Sequence, residues 1–398
     1  MITGAEEGSF ARSVLAERHP ALIRQVREAT AYPPEQQRRL DALLEEIAGG
    51  VVAPLPAGSH DADRWAEWGR EHVGRPWYEV PFLWAESYFY RRLLEAVGYF
   101  GPGAWQGIDP FGPFKRAELS GPEVEEELAA LDEVAAMPPE EQDRALLTGA
   151  LWGNRADLGF RLSSRAASHS AADPGSERVV ADDSDALWRH LRHPRPPGGH
   201  AAPAGPAPAT VCVLADNAGR ELIPDLLLAD HLLQTRRAAA VVLHVKPYPY
   251  FVSDATTADV ADCLRRITQA PGHAGRVGAR LREAVAHGRL TVRAHPFACA
   301  PLPYADMPDD LRAELAAATV TIAKGDLNYR RLVGDRTWPA TTPFARLTSY
   351  FPGPLVALRT MKCDVAVGLD PQTVAGLDAS GRTWRTSGAY AVIHFSSP

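Results

Sequence analysis

From Thr210 onward the chain alternates between short, apolar, β-branched runs and segments with helical spacing, and no other feature restricts the fold as much. Strand candidates are Thr210–Ala215, Ala238–Val245, Leu290–Ala294, Thr319–Ala323, Leu355–Leu358 with Val365–Gly368, and Tyr390–Phe395. Between them, apolar residues recur at helical intervals over Leu222–Leu233, Thr257–Gln269, Val277–His287 and Asp309–Ala317. Apolar strands separated by helices are covered on both faces. The expected fold is therefore α/β, a three-layer α/β/α arrangement around a mostly parallel sheet, with the last strand a candidate antiparallel edge.

The region before this alternation reads differently. From Ser9 to about Phe160 the pattern is helical, clearest over Leu22–Ala29, Pro34–Ala48, Pro81–Val97 and Pro122–Ala136, and proline or a capping residue opens several of these segments. Leu162–Ser176 reads as a loop, Arg178–Ser184 as a short strand whose Asp182 and Asp183 cap the helix through Trp188 and Leu191, and His193–Ala209 as a Pro- and Ala-rich linker. The chain divides into a helical N-terminal subdomain (1–165), a strand, helix and linker (166–209) and an α/β/α core (210–398).

Composition removes several classes of function. A chain of 398 residues, 45% hydrophobic, can bury a large core. A formal charge of -7 and a pI near 6.0 supply no basic stripe for nucleic acid, so any phosphate recognition is local. The four cysteines are scattered without CxxC spacing and are expected to be reduced. The first residues lack the apolar core of a signal peptide and no apolar run is long enough to cross a bilayer, so a cytoplasmic protein acting on a small molecule is expected, with no nucleic-acid or membrane partner.

The polar residues then gather in one place. Asp216-Asn217 follows the first strand of the alternating region and precedes a helix, where Pro224 falls early enough to be tolerated. In an open α/β sheet ligands bind outside the carboxyl ends of strands, where helix N-termini attract anions. A phosphate there would be repelled by Asp216 unless a cation stood between them, which points to a metal. Lys246 to Asp254 follows the next strand, Lys324-Gly325-Asp326-Leu327-Asn328-Tyr329-Arg330 another, and Arg359-Thr360-Met361-Lys362 a third, so a parallel sheet would bring all four clusters to one edge. Asp216, Asn217 and Asp254 form a hard, all-oxygen set suited to Mg²⁺ or Mn²⁺. Lys324, Arg330, Arg359 and Lys362 are available for phosphate charge, Asp326 for orienting or deprotonating water, and Asn328 for sugar hydroxyls. Taken singly, each has a plain structural reading: a turn, a helix cap, a surface lysine. In the helical region, Trp84-Ala85-Glu86 to Arg92 and Leu151-Trp152-Gly153-Asn154-Arg155-Ala156-Asp157 stand out, with aromatic packing and paired charges as the plain reading.

These motifs resemble the DUF89 damage-control phosphatases: DNAG-x-EL-x-x-D-x-x-LA at Asp216–Ala229, Lys246–Asp254, KGDLNYRRLVGDR at Lys324–Arg336, and RTMK at Arg359–Lys362. They are most similar to the acidic residue methyltransferase 1-like subgroup, which carries an RTxK signature. Stretches at Glu86, at Trp152–Asp157 and in the terminal GAYAVIHF extend the likeness along nearly the whole chain. The resemblance implies metal binding by Asp216, Asn217 and Asp254, catalysis by these with Asp326, and substrate contact by Glu86, Asn154, Asp326, Leu327, Asn328, Tyr329, Arg330, Arg359 and Lys362. It also implies hydrolysis of a sugar phosphate such as fructose 1-phosphate or fructose 6-phosphate, with Mn²⁺, Mg²⁺, Co²⁺ or Ni²⁺. The Pro- and Ala-rich insertion before Thr210 and RTMK in place of RTLK depart from the family pattern.

Two other functions compete with the phosphatase. One is an S-adenosylmethionine-dependent carboxyl methyltransferase, against which stands a first turn of Asp-Asn-Ala-Gly where such enzymes carry a glycine-rich loop. The other is a sugar-phosphate-binding protein without turnover.

Overall fold

The computed structural model describes residues 1–153, 178–193 and 209–398. Seven runs form strands: β1 (Arg178–Asp182), β2 (Thr210–Leu214), β3 (Ala240–His244), β4 (Leu290–Arg293), β5 (Val320–Lys324), β6 (Leu355–Thr360) and β7 (Tyr390–Ser396). They make one sheet in the order β1-β7-β6-β5-β2-β3-β4, parallel throughout except where β7 runs antiparallel to β6. β7 is not the edge expected of it. β1 pairs with its outer side, so the edges are β1 and β4.

The chain runs outward from β2 through β3 to β4 and then returns to β5 on the other side of β2. That reversal leaves a crevice between the carboxyl ends of β2 and β5, the place where an open α/β sheet admits a ligand. Alternation along the strands supplies the layers. Val211, Val213, Val320, Ile322, Val356 and Leu358 pack with the helices Leu222–Gln234, Thr257–Thr268 and Gly272–Ala286. Cys212, Leu214, Ala323, Leu355 and Ala357 face the opposite layer, built from the helices Asp309–Ala317, Gly325–Val333 and Pro371–Ala379 with their connecting loops. The N-terminal helices have a third core around Ile23, Trp65, Trp77, Tyr88 and Phe89, whereas the helix Pro139–Trp152 joins the core of the sheet.

Several local readings change. Val365–Val367 is buried but joins no strand, since an apolar run reports burial and not which partner supplies it. Pro122–Ala136 is two helices, Pro122–Ala129 and Leu131–Ala136. The polar cluster after β5 is the helix Gly325–Val333, whose period was hidden because its polar residues face inward. Pro371–Ala379 was not anticipated; Asp370 caps it by accepting from the amides of Gln372 and Thr373. Asn154, Arg155, Asp157, the Leu162–Ser176 loop and nearly all of the linker lie outside the described residues. Among the described residues no helix is long and apolar enough to cross a membrane, and all four cysteines are buried and unbridged.

Candidate active site

After β2 the chain leaves the sheet through Asp216, and after β3 it passes through Lys246 to Asp254 and returns alongside. Asn217 and Asp254 form an antiparallel bridge, the amide of Ala255 donates to the Asp216 carbonyl (2.9 Å), and that of Ala218 to the Ser253 carbonyl (2.6 Å). The two loops are zipped backbone to backbone, which sets both candidate carboxylates on one seam. Asp216 and Asp254 are only 7% and 2% exposed. Burial raises both carboxyls. At Asp216 the negative charges of Glu221 and Asp254 push further in the same direction, against Lys362 and Lys246; at Asp254 Lys246 and Lys115 oppose the rise. Asp254 Oδ2 accepts no hydrogen bond, and Lys246 Nζ lies 3.7 Å from it.

Asn217 is oriented by its neighbours. Its Nδ2 donates to Glu221 Oε2 (2.9 Å) and towards Asp216 Oδ2 (3.3 Å), while Oδ1 accepts from Ser253 Oγ (2.6 Å). Two carboxylate oxygens beside one end of the amide require that end to be the nitrogen. On the other side of the crevice stands Gly325, with φ +84°; a Cβ there would come within 1.8 Å of Asp216 Oδ2. No other residue permits this approach of carboxylate to backbone. Gly153 does the same for Glu221, whose Cγ would be 2.3 Å from an added Cβ. Lys324, at the end of β5, is bound to Asp225 Oδ1 on the helix Leu222–Gln234. Burial would lower its ammonium, but Asp225 and Glu221 outweigh burial and hold it up.

A second group of charges surrounds the helix Gly325–Val333. Arg330 bonds Asp335 through Nε (2.8 Å) and Nη2 (3.2 Å), and reaches Glu86 Oε2 through Nη1 (2.8 Å). Arg359 donates from Nε to Asp326 Oδ1 (2.8 Å) and from Nη1 to the Val365 carbonyl. Burial pushes Asp326 up, but Arg359 and Arg330 together hold it below its ordinary value; at Glu86 burial outweighs Arg330 and the carboxyl is raised. Asn328 is a clamp, with Nδ2 donating to the carbonyls of Leu214, Ala215 and Lys324 and Oδ1 accepting from Tyr304. Leu327 packs with Leu83, Tyr250 and Cys299, and the Tyr329 hydroxyl meets the Val367 carbonyl and His394. Of the cations assigned to phosphate, Lys324, Arg330 and Arg359 are committed to carboxylates; Lys362, half-buried, is in no ion pair among the described residues.

Comparison with known proteins gives the family. Residues 14–376 match the model of the damage-control phosphatase ARMT1-like domain. The chain belongs to that family. Damage-control phosphatase ARMT1 of Mus musculus is 30% identical over 442 residues, covering 100% of this chain and 98% of its own length. That of Danio rerio is 29% identical over 435 residues, covering 98% and 96%. A DUF89 family protein from Pyrococcus horikoshii aligns over 92% of this chain and 94% of its own at 15% identity and a TM-score of 0.49.

In this ARMT1-like chain the structure brings Asp216, Asn217 and Asp254 together, as expected from their strand-end positions, and sets Glu86, named only through the resemblance, on Arg330 of the Gly325–Val333 helix. Glu221, Asp225, Asp335 and Lys246 stand in the motifs read from the sequence but were given no role of their own, and Lys115 was not singled out. Glu221 and Asp335 had a faint signal, standing within a few residues of Asn217 and Arg330; Lys115 had none, being 139 residues from its partner Asp254. No three His, Cys, Asp or Glu side chains converge as a metal-holding group among the described residues. The set at the seam is two carboxylates and one amide oxygen. It fits a hard divalent ion in atom type and charge, since a cation there would partner the orphaned Asp254 Oδ2 and offset the repulsion at Asp216, and Asn217 Oδ1 keeps a second lone pair beside its bond from Ser253.

Proposed function

We propose that the chain is a metal-dependent phosphomonoesterase acting on a sugar phosphate or related phosphometabolite, with fructose 1-phosphate and fructose 6-phosphate as the first substrates to try. The reading rests on one observation: two buried carboxylates on one seam, both raised by burial, Asp216 raised further by Asp254 and Asp254 paired only by a long contact to Lys246, in a crevice that an enzyme of this family would use. Asp216, Asn217 and Asp254 would hold Mn²⁺, Mg²⁺, Co²⁺ or Ni²⁺. When bound, such an ion supplies positive charge that polarises a phosphoester and makes water more acidic.

The chain's own groups have separable tasks. Lys362, free of any carboxylate partner in the described residues yet close enough to lower Asp216, is placed to bind phosphate oxygens and the charge that grows on them. Asp326 is held ionised by Arg359 and Arg330, so it accepts a hydrogen bond from the attacking water and orients it; a carboxyl kept below its ordinary value is a poor base. Glu86 and Arg330 tie the helical layer to that same helix and would form the wall at the sugar end. A phosphate-release assay over sugar phosphates, with each of the four ions and with EDTA, tests the reading. Full turnover in metal-free protein would sink it.

The methyltransferase alternative finds no support in the turn after β2, where Asp216 is pressed against Gly325 in the space a cofactor's approach to the backbone requires.

A further inference from the structure

Lys115 lies in the helical region, on the helix Gly112–Leu119, and its ammonium is buried at 4% exposure. It donates three hydrogen bonds, to the Asp254 carbonyl (2.8 Å), Asp109 Oδ2 (2.9 Å) and Asp259 Oδ2 (3.0 Å). All three donors of the ammonium are used, which fixes its direction. Asp259 in turn accepts from the backbone amide (2.8 Å) and hydroxyl (2.7 Å) of Thr256, the capping box that opens the helix Thr257–Thr268 just beyond Asp254. The same loop is held once more from the helical layer: the Tyr248 hydroxyl donates to Asp61 Oδ2 (3.0 Å), and Asp61 is gripped through Oδ1 by Arg91 Nε (2.9 Å). Asp61 adopts φ +52°, in the left-handed region that Asp enters more readily than most non-glycine residues.

We infer that the helical layer sets the geometry of the metal-holding loop through these two anchors, Lys115 on the Asp254 carbonyl and Asp61 on Tyr248. Lys115 is a positioning residue. With its carbonyl pinned on one side and its backbone bridged to Asn217 on the other, Asp254 presents its carboxylate to the seam at no further ordering cost. This inference rests on the metal site proposed above.

The test is Mn²⁺ affinity by calorimetry on the full chain, well below the melting temperature, for wild type, Lys115→Met, Lys115→Arg and Tyr248→Phe. Removing groups that orient metal ligands commonly weakens binding about 10- to 100-fold. Lys115→Met is expected in that range, Lys115→Arg between it and wild type, and Tyr248→Phe weaker than wild type by about 3-fold, a fraction of that range. With saturating Mn²⁺, phosphate release should recover in kcat more than a merely destabilised protein allows. Wild-type affinity in both Lys115→Met and Tyr248→Phe, with lowered melting temperatures, overturns the inference alone and makes the anchors purely structural. If Lys115→Met does not fold, Tyr248→Phe decides by the same criterion. Failure of wild type itself to bind Mn²⁺ overturns the metal reading, and this inference with it.

Discussion

Two acidic corners meet at the crevice between β2 and β5, and they are built on opposite principles. Around the Gly325–Val333 helix three buried carboxylates are matched: Asp326 with Arg359, Asp335 and Glu86 with Arg330. At the seam Glu221 and Asp254 both raise Asp216, which is in no ion pair among the described residues, while Asp254 Oδ2 accepts no hydrogen bond and its ion pair with Lys246 is long, at 3.7 Å. A folded chain tolerates buried charge when it is paired and leaves it unpaired at some expense in stability, which persists where a ligand repays it. The matched corner therefore reads as scaffold that aims Asp326, and the unmatched one as the place that awaits a cation.

The largest expected effect breaks the unmatched corner. Asp216→Ala and Asp254→Ala should each reduce metal-dependent phosphate release by about 10³-fold or more, the scale of losing a principal electrostatic stabiliser, while leaving the fold intact by circular dichroism. The matched corner should behave the other way. Arg330→Met strands Asp335 and Glu86 and should cost about 3–5 kcal/mol of stability, read by denaturant melts, whether or not metal is present. Equal loss of stability at both corners would erase the distinction. Next in size, Mn²⁺ at about 100 times its dissociation constant should stabilise the wild type by about 2.7 kcal/mol in thermal melts, and should do nothing for Asp254→Asn.

The contrast also explains what could be read from the sequence. The alternation of apolar runs and helical segments was enough for the layers and for the strand ends that converge, because burial on both faces leaves a period visible without partners. Asp216-Asn217 and Asp254 were legible too, not singly, where a turn or a helix cap explains each, but because the loops that follow β2 and β3 leave the same edge of a parallel sheet. The matched corner was not. Arg330, Arg359 and Lys324 looked like free phosphate cations, as their partners Glu86, Asp326 and Asp225 are brought in by folding, from as far as 244 residues away. For the same reason Asn328, assigned to sugar hydroxyls, is occupied with the ends of β2 and β5, and the polar cluster Asp326–Arg330 lies within the helix Gly325–Val333. β7 lost its expected edge position to β1, which was read as a strand but whose half-exposed pattern does not say which strand it pairs with.

The smallest effect is the most discriminating, because it separates the corners by the sign of their response to pH. Asp216 is raised by burial and by Glu221 and Asp254, so in metal-free protein the folded state takes up a proton more readily than the unfolded chain, and acidification towards 3.8 relieves the corner. Asp216→Asn imitates the relieved state. In EDTA it should therefore stabilise the protein by about 1 kcal/mol at pH 8, with the gain shrinking towards zero as pH falls and wild-type Asp216 becomes protonated. Asp326 is held low by Arg359 and Arg330, so the stability it contributes is complete above 3.8 and lost only as pH falls below that. Asp326→Asn should accordingly destabilise by a constant amount across pH 5–8. Buried His19 and His394, lowered to about 3 and about 4 by burial, weaken the fold below pH 6.5 in wild type and in both variants, so they cancel in the differences. Difference melts with the same slope against pH for both variants would mean that Asp216 is compensated as Asp326 is, and that the crevice holds no unmatched charge for a cation to meet.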